Sequence, residues 1–323
     1  MREAQAFWVV APGRGEIRTQ ALRPPGPREL LIRTLVSAIS RGSESLVFHG
    51  DVPESEWQRM RCPFQEGEFP VPVKYGYSTV GIVEDGPTSD LGRRVFCLHP
   101  HQDRFIVPEG AVIDIPAAIP DRRATLAANM ETAVNGLWDA LPGPGDRIAV
   151  VGAGVVGCLL AALAAKLPGS EVELIDVDAT RENVATAFAC RFAAPQKARG
   201  EADLVIHASG TPEGLSTALA IAGFEATVLE MSWYGTRTVP LVLGGAFHSR
   251  RLTLRSSQVG AVPADRRQRW SRRRRLALAL SLLSDPIFEV LLSGESAFST
   301  LPDVMPRLVA SPAGVLCHTL RYD

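Results

Sequence analysis

The sequence has little net charge and no long apolar segment. Its 34 lysines and arginines face 35 aspartates and glutamates, which gives a formal charge of −1. This balance argues against a dedicated nucleic-acid or anionic-membrane binder, because such proteins depend on excess positive charge. No apolar run reaches the roughly 18 residues that suggest a membrane span. The first residues also lack the apolar core of a signal peptide, so we expect a cytoplasmic protein.

Cysteine is scarce and widely spaced. The sequence has five cysteines, with no C-x-x-C pair and no close cluster. Neither a disulfide framework nor a structural zinc loop is supported by this spacing. We expect reduced thiols.

The remaining composition, 46% hydrophobic and 21% charged, is that of a globular protein long enough for two domains. Up to about residue 120, short strand-like runs alternate with glycine and proline, which predicts a small barrel-like β domain. A helical segment, Asp121–Leu141, follows. Beyond it, strands alternate with helices, as in a parallel sheet. The predicted class is α/β, with a parallel sheet flanked by helices and a barrel-like β domain.

The strongest motif is the G-x-G-x-x-G turn of Gly152 to Gly157. It lies between an apolar strand, Arg147–Val151, and an alanine-rich helix, Cys158–Lys166. In such a turn the first glycine permits the tight bend and the second lets a pyrophosphate approach the backbone. The third allows close packing of helix on strand. The pyrophosphate meets the helix N-terminus, where amide groups and the helix dipole favour an anion.

An acidic residue completes this fingerprint. Asp176 follows the next predicted strand, Glu171–Ile175, and lies 24 positions after Gly152. Its carboxylate can accept hydrogen bonds from the diol of an adenosine ribose, and it would repel a 2′-phosphate. The pattern therefore predicts NAD rather than NADP as cofactor. Arg181, five positions later, could weaken that preference.

Over nearly its whole length the sequence resembles the medium-chain dehydrogenase/reductase superfamily, the alcohol dehydrogenase-like group. The stretches that carry the resemblance are Val36–Gly50, Lys74–Gly81, Gly92–Val95, Gly145–Asp176 and Ala208–Gly210.

The resemblance implies a GroES-like domain over 1–120, a Rossmann domain over 121–258 and a C-terminal return to the first domain over 259–323. It also implies cofactor contacts at Val155, Val156 and Ser209, and a homodimer formed by the edges of Rossmann sheets.

The positions that match the zinc ligands of this group depart from its pattern. Arg41 stands where zinc-dependent members carry a cysteine, and Tyr77 where they carry a histidine. Glu131 matches a third ligand region and remains a carboxylate. One carboxylate cannot hold zinc alone, and an arginine would repel the cation. The lobe with four clustered cysteines is missing as well, so we predict neither catalytic nor structural zinc.

Transfer of a hydride to a carbonyl also needs a proton donor. Ser43 matches the hydroxyl relay position of the family, and Tyr77 could point a phenol into the vacated metal site. Arg41 and Glu131 could form an ion pair across that site. Structural roles for Ser43 and Tyr77 remain open, as does the choice between loop structure and acid–base work for His99 and His101.

The most basic stretch has seven arginines among the ten residues from Arg266 to Arg275. Trp270 within it is typical of nucleic-acid binders. Because an apolar helical segment, Leu276–Leu283, follows directly, we favour a solvated helix surface or the rim of an anionic-substrate site.

Together these features predict a zinc-independent oxidoreductase that transfers a hydride between NAD(H) and a small alcohol or carbonyl substrate. Two alternatives stay open, namely reduction of an activated C=C bond and a non-catalytic dinucleotide-binding protein. The segment Ile39–Glu44 is also similar to the bacteriochlorophyllide hydroxyethyl dehydrogenases of the superfamily, but no pocket motif extends that similarity to a substrate.

Overall fold

The chain folds into two compact units. The computed structural model describes residues 2–310 and 314–323. The first unit comprises the described residues up to Ala128 and from Leu280 onward, and the second is Asn129–Ala279. These divisions lie eight and 21 residues beyond the expected boundaries at 120 and 258. Arg275 lies in the second unit, and its side chain is buried.

The strands of the described residues are, in chain order, β1 (Arg2–Ala11), β2 (Arg14–Leu22), β3 (Glu29–Ile39), β4 (Glu66–Gly67), β5 (Val73–Lys74), β6 (Thr79–Asp85), β7 (Arg94–Cys97), β8 (Arg104–Pro108), β9 (Val112–Asp114), β10 (Arg147–Val151), β11 (Glu171–Ile175), β12 (Arg191–Ala193), β13 (Ala202–His207), β14 (Ala222–Glu230), β15 (Thr253–Ser256), β16 (Leu292–Ala297) and β17 (Cys317–Arg321).

The α-helices of the described residues are α1 (Arg41–His49), α2 (Asp121–Ala124), α3 (Ala127–Ala140), α4 (Val155–Ala164), α5 (Glu182–Ala187), α6 (Pro212–Ile221), α7 (Arg272–Leu282) and α8 (Leu301–Ala310).

The first unit is built from mainly antiparallel strands. One sheet has the order β2-β1-β5-β4, and the other has the order β16-β17-β3-β6-β7-β9, with β8 also paired to β3. The C-terminal strand β17 pairs with β3, where His318 lies opposite Ile39. A core of Leu30, Ile32, Phe105 and neighbouring apolar side chains lies against the second of these sheets. The β-rich first domain predicted from the sequence is therefore present.

The second unit contains a six-stranded parallel sheet of order β12-β11-β10-β13-β14-β15. In the central strand β10 every residue after Arg147 is buried, as is usual for a parallel sheet covered by helices. The chain moves outward from β10 in both directions, so the order reverses between β10 and β13. Ligands of such sheets bind at the carboxyl ends of the strands at this reversal. The predicted Rossmann sheet is confirmed.

The predicted helix Asp121–Leu141 is two helices in the structure. The break follows α2 at Thr125, whose hydroxyl donates to the carbonyl oxygen of Arg122 at 2.6 Å. A threonine that bonds locally in this way competes with the helical hydrogen-bond pattern. The next helix, α3, carries Glu131.

Other expectations concern the surface and the thiols. All five cysteines are buried free thiols. Within residues 2–310 and 314–323, no helix combines the length and apolar character needed to cross a bilayer. Strand β15 lies at the edge of the parallel sheet. The homodimer implied by the resemblance would use such an edge, and it remains a prediction.

Candidate cofactor and catalytic sites

Two glycines of the G-x-G-x-x-G turn are required by packing. Gly152 has φ +108°, in the range that favours glycine. A Cβ at Gly152 would lie 2.5 Å from the backbone nitrogen of Ser209, and one at Gly157 would lie 1.9 Å from the carbonyl oxygen of Gly152. The turn therefore closes tightly on itself and on the loop after β13.

The middle glycine has open space in front of it. Gly154 precedes α4, and a Cβ there would meet nothing within 4 Å. Val155 and Val156 form the first turn of α4 and are partly exposed. The first amide groups of a helix have no acceptor inside the helix and favour an anion. This cradle fits a pyrophosphate, as the sequence predicts.

Asp176 is fixed beside the turn by two backbone amides. It follows β11, and its Oδ2 accepts the N–H of Ala153 at 2.6 Å. Its Oδ1 accepts the N–H of Asp178 at 2.8 Å. The carboxylate is half-buried, and each oxygen has a further lone pair. An acceptor held in this position suits the hydroxyl groups of a ribose.

Arg181 forms an ion pair with a nearby carboxylate of the same chain. The side chain is 7% exposed, and its guanidinium lies 3.4 Å from the carboxylate of Asp178. A 2′-phosphate would have to compete with this ion pair in a buried place. The structure therefore gives no support to the expectation that Arg181 weakens the preference for NAD.

Ser209 belongs to a polar network at the ends of β13 and β14. Its Oγ lies 2.6 Å from Nε2 of His207, and Nδ1 of His207 lies 2.8 Å from a carboxylate oxygen of Glu230. His207, the last residue of β13, is fully buried. Its acidic partner was not predicted, although both residues end adjacent parallel strands.

Tyr77 and Ser43 come together in the first unit. The phenol of Tyr77 donates to Oγ of Ser40 at 2.6 Å and also hydrogen-bonds to Ser43. Burial and the nearby charge of Glu44 raise the pKa of Tyr77 to about 12. The phenol is therefore protonated at neutral pH. Ser40, which was not among the predicted site residues, is the third member of this group.

A second group of polar side chains in the first unit surrounds His101. Its Nε2 lies 2.9 Å from the carboxylate of Glu44, and its Nδ1 lies 2.8 Å from Oγ of Ser37. Ser37 in turn lies 2.9 Å from the hydroxyl of Tyr322. Glu44 and His101 are both buried. His101 was among the candidate residues of the sequence, whereas its partner Glu44 was not.

His99 packs inside the first unit. Its ring stacks on Phe105 with a centroid distance of 3.7 Å, and it is buried. Burial lowers the pKa of His99 to about 3. Of the two alternatives left open by the sequence, loop structure fits this residue.

Arg41 and Glu131 each have a partner that the sequence did not predict. The guanidinium of Arg41 donates to the carbonyl oxygen of Val315 at 3.1 Å. Glu131 accepts from Nε of Arg275 at 2.9 Å. Arg275 thus binds this carboxylate within the second unit, and the pairing of Glu131 with Arg41 stays a prediction.

Arg275 itself corrects the expectation for the arginine run. The side chain is 1% exposed, and it also donates to Asn135 and to the carbonyl oxygen of Val259. Arg274 beside it is exposed and lies 3.9 Å from the ring centroid of Trp270. The run thus combines a helix surface with one buried cation.

Known structures share this arrangement of sheets. L-idonate 5-dehydrogenase of Escherichia coli K-12 has a TM-score of 0.80 and 15% identity, over 99% of this chain and 98% of that one. A short chain alcohol dehydrogenase of E. coli CFT073, complexed with NADH, has a TM-score of 0.77 and 15% identity, over 99% and 100%. The chain has the alcohol dehydrogenase fold.

A third structure with this fold carries the other nicotinamide cofactor. It is a zinc-binding dehydrogenase of Sinorhizobium meliloti 1021 bound to NADP, with a TM-score of 0.77 and 17% identity over 99% of this chain and 100% of that one. No protein-family model and no curated protein matches the sequence. At these identities the similarity concerns the fold.

The positions that the sequence resemblance matches to zinc ligands do not hold the usual ligand types. Arginine and tyrosine are not zinc ligands, and they occupy the two positions named above. In the described part of the chain, no three His, Cys, Asp or Glu side chains are grouped so that they could hold a metal ion. The residues do not fit a zinc ion, and zinc independence stays a prediction.

Proposed function

We propose that this protein is an NAD(H)-dependent oxidoreductase that interconverts an alcohol and a carbonyl compound without zinc. The observation that carries the proposal is the Gly152–Gly157 turn, with the Asp176 carboxylate fixed 2.6 Å from the Ala153 amide. The alcohol dehydrogenase fold supports it, as do the similar structures that hold NADH and NADP. A bound nicotinamide would supply the carbon that gives or takes the hydride.

The chain's own residues would bind the cofactor and handle the proton. The open space at Gly154 and the start of α4 would receive the pyrophosphate, with Val155 and Val156 beside it. Tyr77 would donate a proton to the oxygen of a carbonyl substrate as that oxygen gains negative charge. Ser40 and Ser43 would hold the phenol in place, and the proton would return along the same hydrogen bonds from solvent.

Turnover tests the proposal directly. We expect steady oxidation of NADH with some members of a panel of aldehydes and ketones. The rate should persist after treatment with a chelator, and metal analysis should show well under one zinc per chain, because Arg41 and Tyr77 are not ligands. Stoichiometric zinc together with loss of activity on chelation would contradict the metal-free site. Turnover of enones alone would favour C=C reduction, and tight NADH binding with no turnover would favour a binding protein.

Asp176 should decide between NAD and NADP. Replacing it with alanine removes the acceptor for the ribose hydroxyls, so we expect roughly 10- to 100-fold weaker NAD binding, from about 1.5–3 kcal/mol for hydrogen bonds to a charged group. The ratio of the NADP dissociation constant to the NAD dissociation constant should fall at the same time. Dissociation constants for both cofactors provide the measurement.

Asp176→Asn separates the charge from the structure of the turn. Asparagine keeps an oxygen for the Ala153 amide but no longer repels a phosphate. We therefore expect this variant to bind NADP better than wild type does. An unchanged ratio of NAD to NADP affinity in both variants would show that Asp176 does not contact the cofactor ribose.

A further inference from the structure

The serine that accepts the Tyr77 phenol does not cap its own helix. Ser40 is the N-cap residue of α1, where a serine oxygen usually accepts an amide hydrogen of the first helical turn. All residues of this helix start are described, and the Ser40 side chain makes no such cap bond. Its Oγ instead accepts the phenol of Tyr77 at 2.6 Å. A contact that normally stabilises a helix start is thus replaced by a contact with the phenol.

Glu44 holds the start of α1 by another route. Its Oε1 accepts the backbone N–H of Ser40 at 2.7 Å. Its own amide donates to the carbonyl oxygen of Ser40 at 3.0 Å. The glutamate of a capping box makes the same side-chain bond from one position earlier in the helix. Glu44 therefore fixes the backbone of Ser40, and the Ser40 hydroxyl can hold the Tyr77 phenol.

His101 joins Glu44 to the segment that carries Tyr77. Because a carboxylate only accepts, Nε2 of His101 donates to Oε2 of Glu44, at 2.9 Å. The ring also lies against Gly76, since a Cβ at Gly76 would be 3.1 Å from Cδ2 of His101. Gly76 has φ +131°, so its conformation favours glycine as well. His101 thus contacts both segments that meet at the hydrogen bond between Tyr77 and Ser40.

The His101 ring is fixed in turn by the sheets of the first unit. Its Nδ1 lies 2.8 Å from Oγ of Ser37 in β3, which lies 2.9 Å from the hydroxyl of Tyr322. The carbonyl oxygen of His101 accepts the amide of Phe7 in β1 at 3.0 Å. Ser37 and His101 are buried, whereas Tyr77 is partly exposed. A ligand can therefore reach the phenol but not His101, which acts only through its neighbours.

We propose that His101 and Glu44 are positioning residues, which hold the Tyr77 phenol and Ser40 where a substrate carbonyl takes up its proton. This rests on the proposed function, in which Tyr77 is the proton donor. The reason is geometric, since a shift of about 1 Å in a reacting group can cost about 10²-fold in rate. Without the His101 ring, the backbone of Gly76 and the start of α1 lose their common support.

Loss and partial restoration of the His101 hydrogen bond test the assignment. His101→Leu fills much of the space but donates nothing to Glu44, and we expect it to lower kcat for carbonyl reduction about 10- to 100-fold. The KM and the NADH affinity should stay within about 3-fold of wild type, because the buried ring contacts neither ligand. His101→Gln places an amide donor near the position of Nε2. It should recover about 3- to 10-fold of the loss, the range of one hydrogen bond.

A double variant separates positioning from a general loss of structure. If His101 acts through the phenol, Tyr77→Phe with His101→Leu should have a kcat within about 3-fold of Tyr77→Phe alone. Losses that multiply in the double variant would overturn the proposal, as would a wild-type kcat in His101→Leu. His318→Leu is the matched control. His318 lies 2.9 Å from Oγ of Ser296 in the same unit, and its loss should change kcat by less than about 3-fold.

A measurement without turnover makes the result independent of the proposed reaction. The chain has four tyrosines, so protein isotope-labelled at tyrosine Cζ gives four NMR signals. The signal that is missing in Tyr77→Phe belongs to Tyr77. We expect this signal to move in His101→Leu, because its shift reports the hydrogen bond of the phenol, and to stay in place in His318→Leu.

The two measurements distinguish the positioning from the reaction. A moved Tyr77 signal in a protein that reduces no carbonyl would support the positioning and contradict the proposed function. An unmoved signal would overturn the positioning. If His101→Leu does not fold, Ser37→Ala removes the partner of Nδ1 and carries both measurements, with an expected loss in kcat of about 3- to 10-fold.

Discussion

Tyr77→Phe should lower kcat/KM for carbonyl reduction by about 10²- to 10⁴-fold, the contribution typical of a positioned general acid. The variant keeps the ring but loses the phenol that donates to Ser40 at 2.6 Å. Binding of NADH, followed by its fluorescence, should stay unchanged because the phenol acts on the substrate oxygen. Steady-state kinetics with one saturating carbonyl compound would measure the effect.

The pH dependence provides a second measurement. The pKa of Tyr77 is raised to about 12, chiefly by burial, so the phenol keeps its proton over the neutral and mildly alkaline range. Loss of the proton donor should therefore not reduce the wild-type reduction rate until the pH rises beyond about 10, the ordinary tyrosine value. A rate that falls through neutral pH would assign the proton to another group.

Tyr75→Phe is the matched control. Tyr75 lies two residues away, is buried, and has its ring 5.9 Å from that of Tyr77. We expect this variant to turn over substrate within about 3-fold of wild type, as for a change remote from the reacting atoms. If Tyr77→Phe behaves like Tyr75→Phe, the phenol of Tyr77 is structural and the proposed mechanism fails.

Arg275→Met should destabilise the protein by about 3–5 kcal/mol, the cost of leaving one partner of a buried ion pair alone. Glu131 is 5% exposed and loses its ion-pair partner in this variant. Methionine fills much of the space but provides no donor for Asn135 or Val259. Urea unfolding of wild type and variant would give the difference in the free energy of unfolding.

The loss of stability in Arg275→Met should increase with pH. Burial raises the pKa of Glu131, and Arg275 opposes that shift. Without Arg275 the folded-state pKa rises further above the unfolded value. The destabilisation is then smallest at low pH, where the carboxyl is neutral in both states, and grows as the pH rises through the folded pKa.

Two further variants separate the buried charge from other causes. Arg274→Met removes an exposed arginine that stacks on Trp270, and it should cost less than about 1 kcal/mol. The double variant Arg275→Met with Glu131→Leu removes both charges and should recover part of the stability. Equal losses in Arg275→Met and Arg274→Met would show that the ion pair is not what stabilises this region.

Much of the fold followed from local sequence patterns. The strand, turn and helix around Gly152 are specified by residues within one short segment, and the structure places them as predicted. The helix around Thr125 was predicted as continuous but is divided into α2 and α3, and the Thr125 hydroxyl donates to the carbonyl oxygen of Arg122 at the break. Such a bond depends on local geometry that the spacing of apolar residues does not report.

The contacts among His207, Ser209 and Glu230 could be predicted in part from the sequence. His207 and Glu230 both lie near the carboxyl ends of strands that the sequence predicts, and parallel strands bring those ends to one edge. The missing information was the strand order, which makes β13 and β14 neighbours. Register then decides that the two side chains meet.

The sequence by itself determined the dinucleotide turn, because that turn depends on the identity of residues at fixed local spacing. Only the tertiary structure decided the partners of the charged groups. It paired Glu131 with Arg275, 144 positions away, and Glu44 with His101, 57 positions away. The physical reason is that a buried charge binds the nearest suitable group in space, and that neighbour is set by the packing of distant segments.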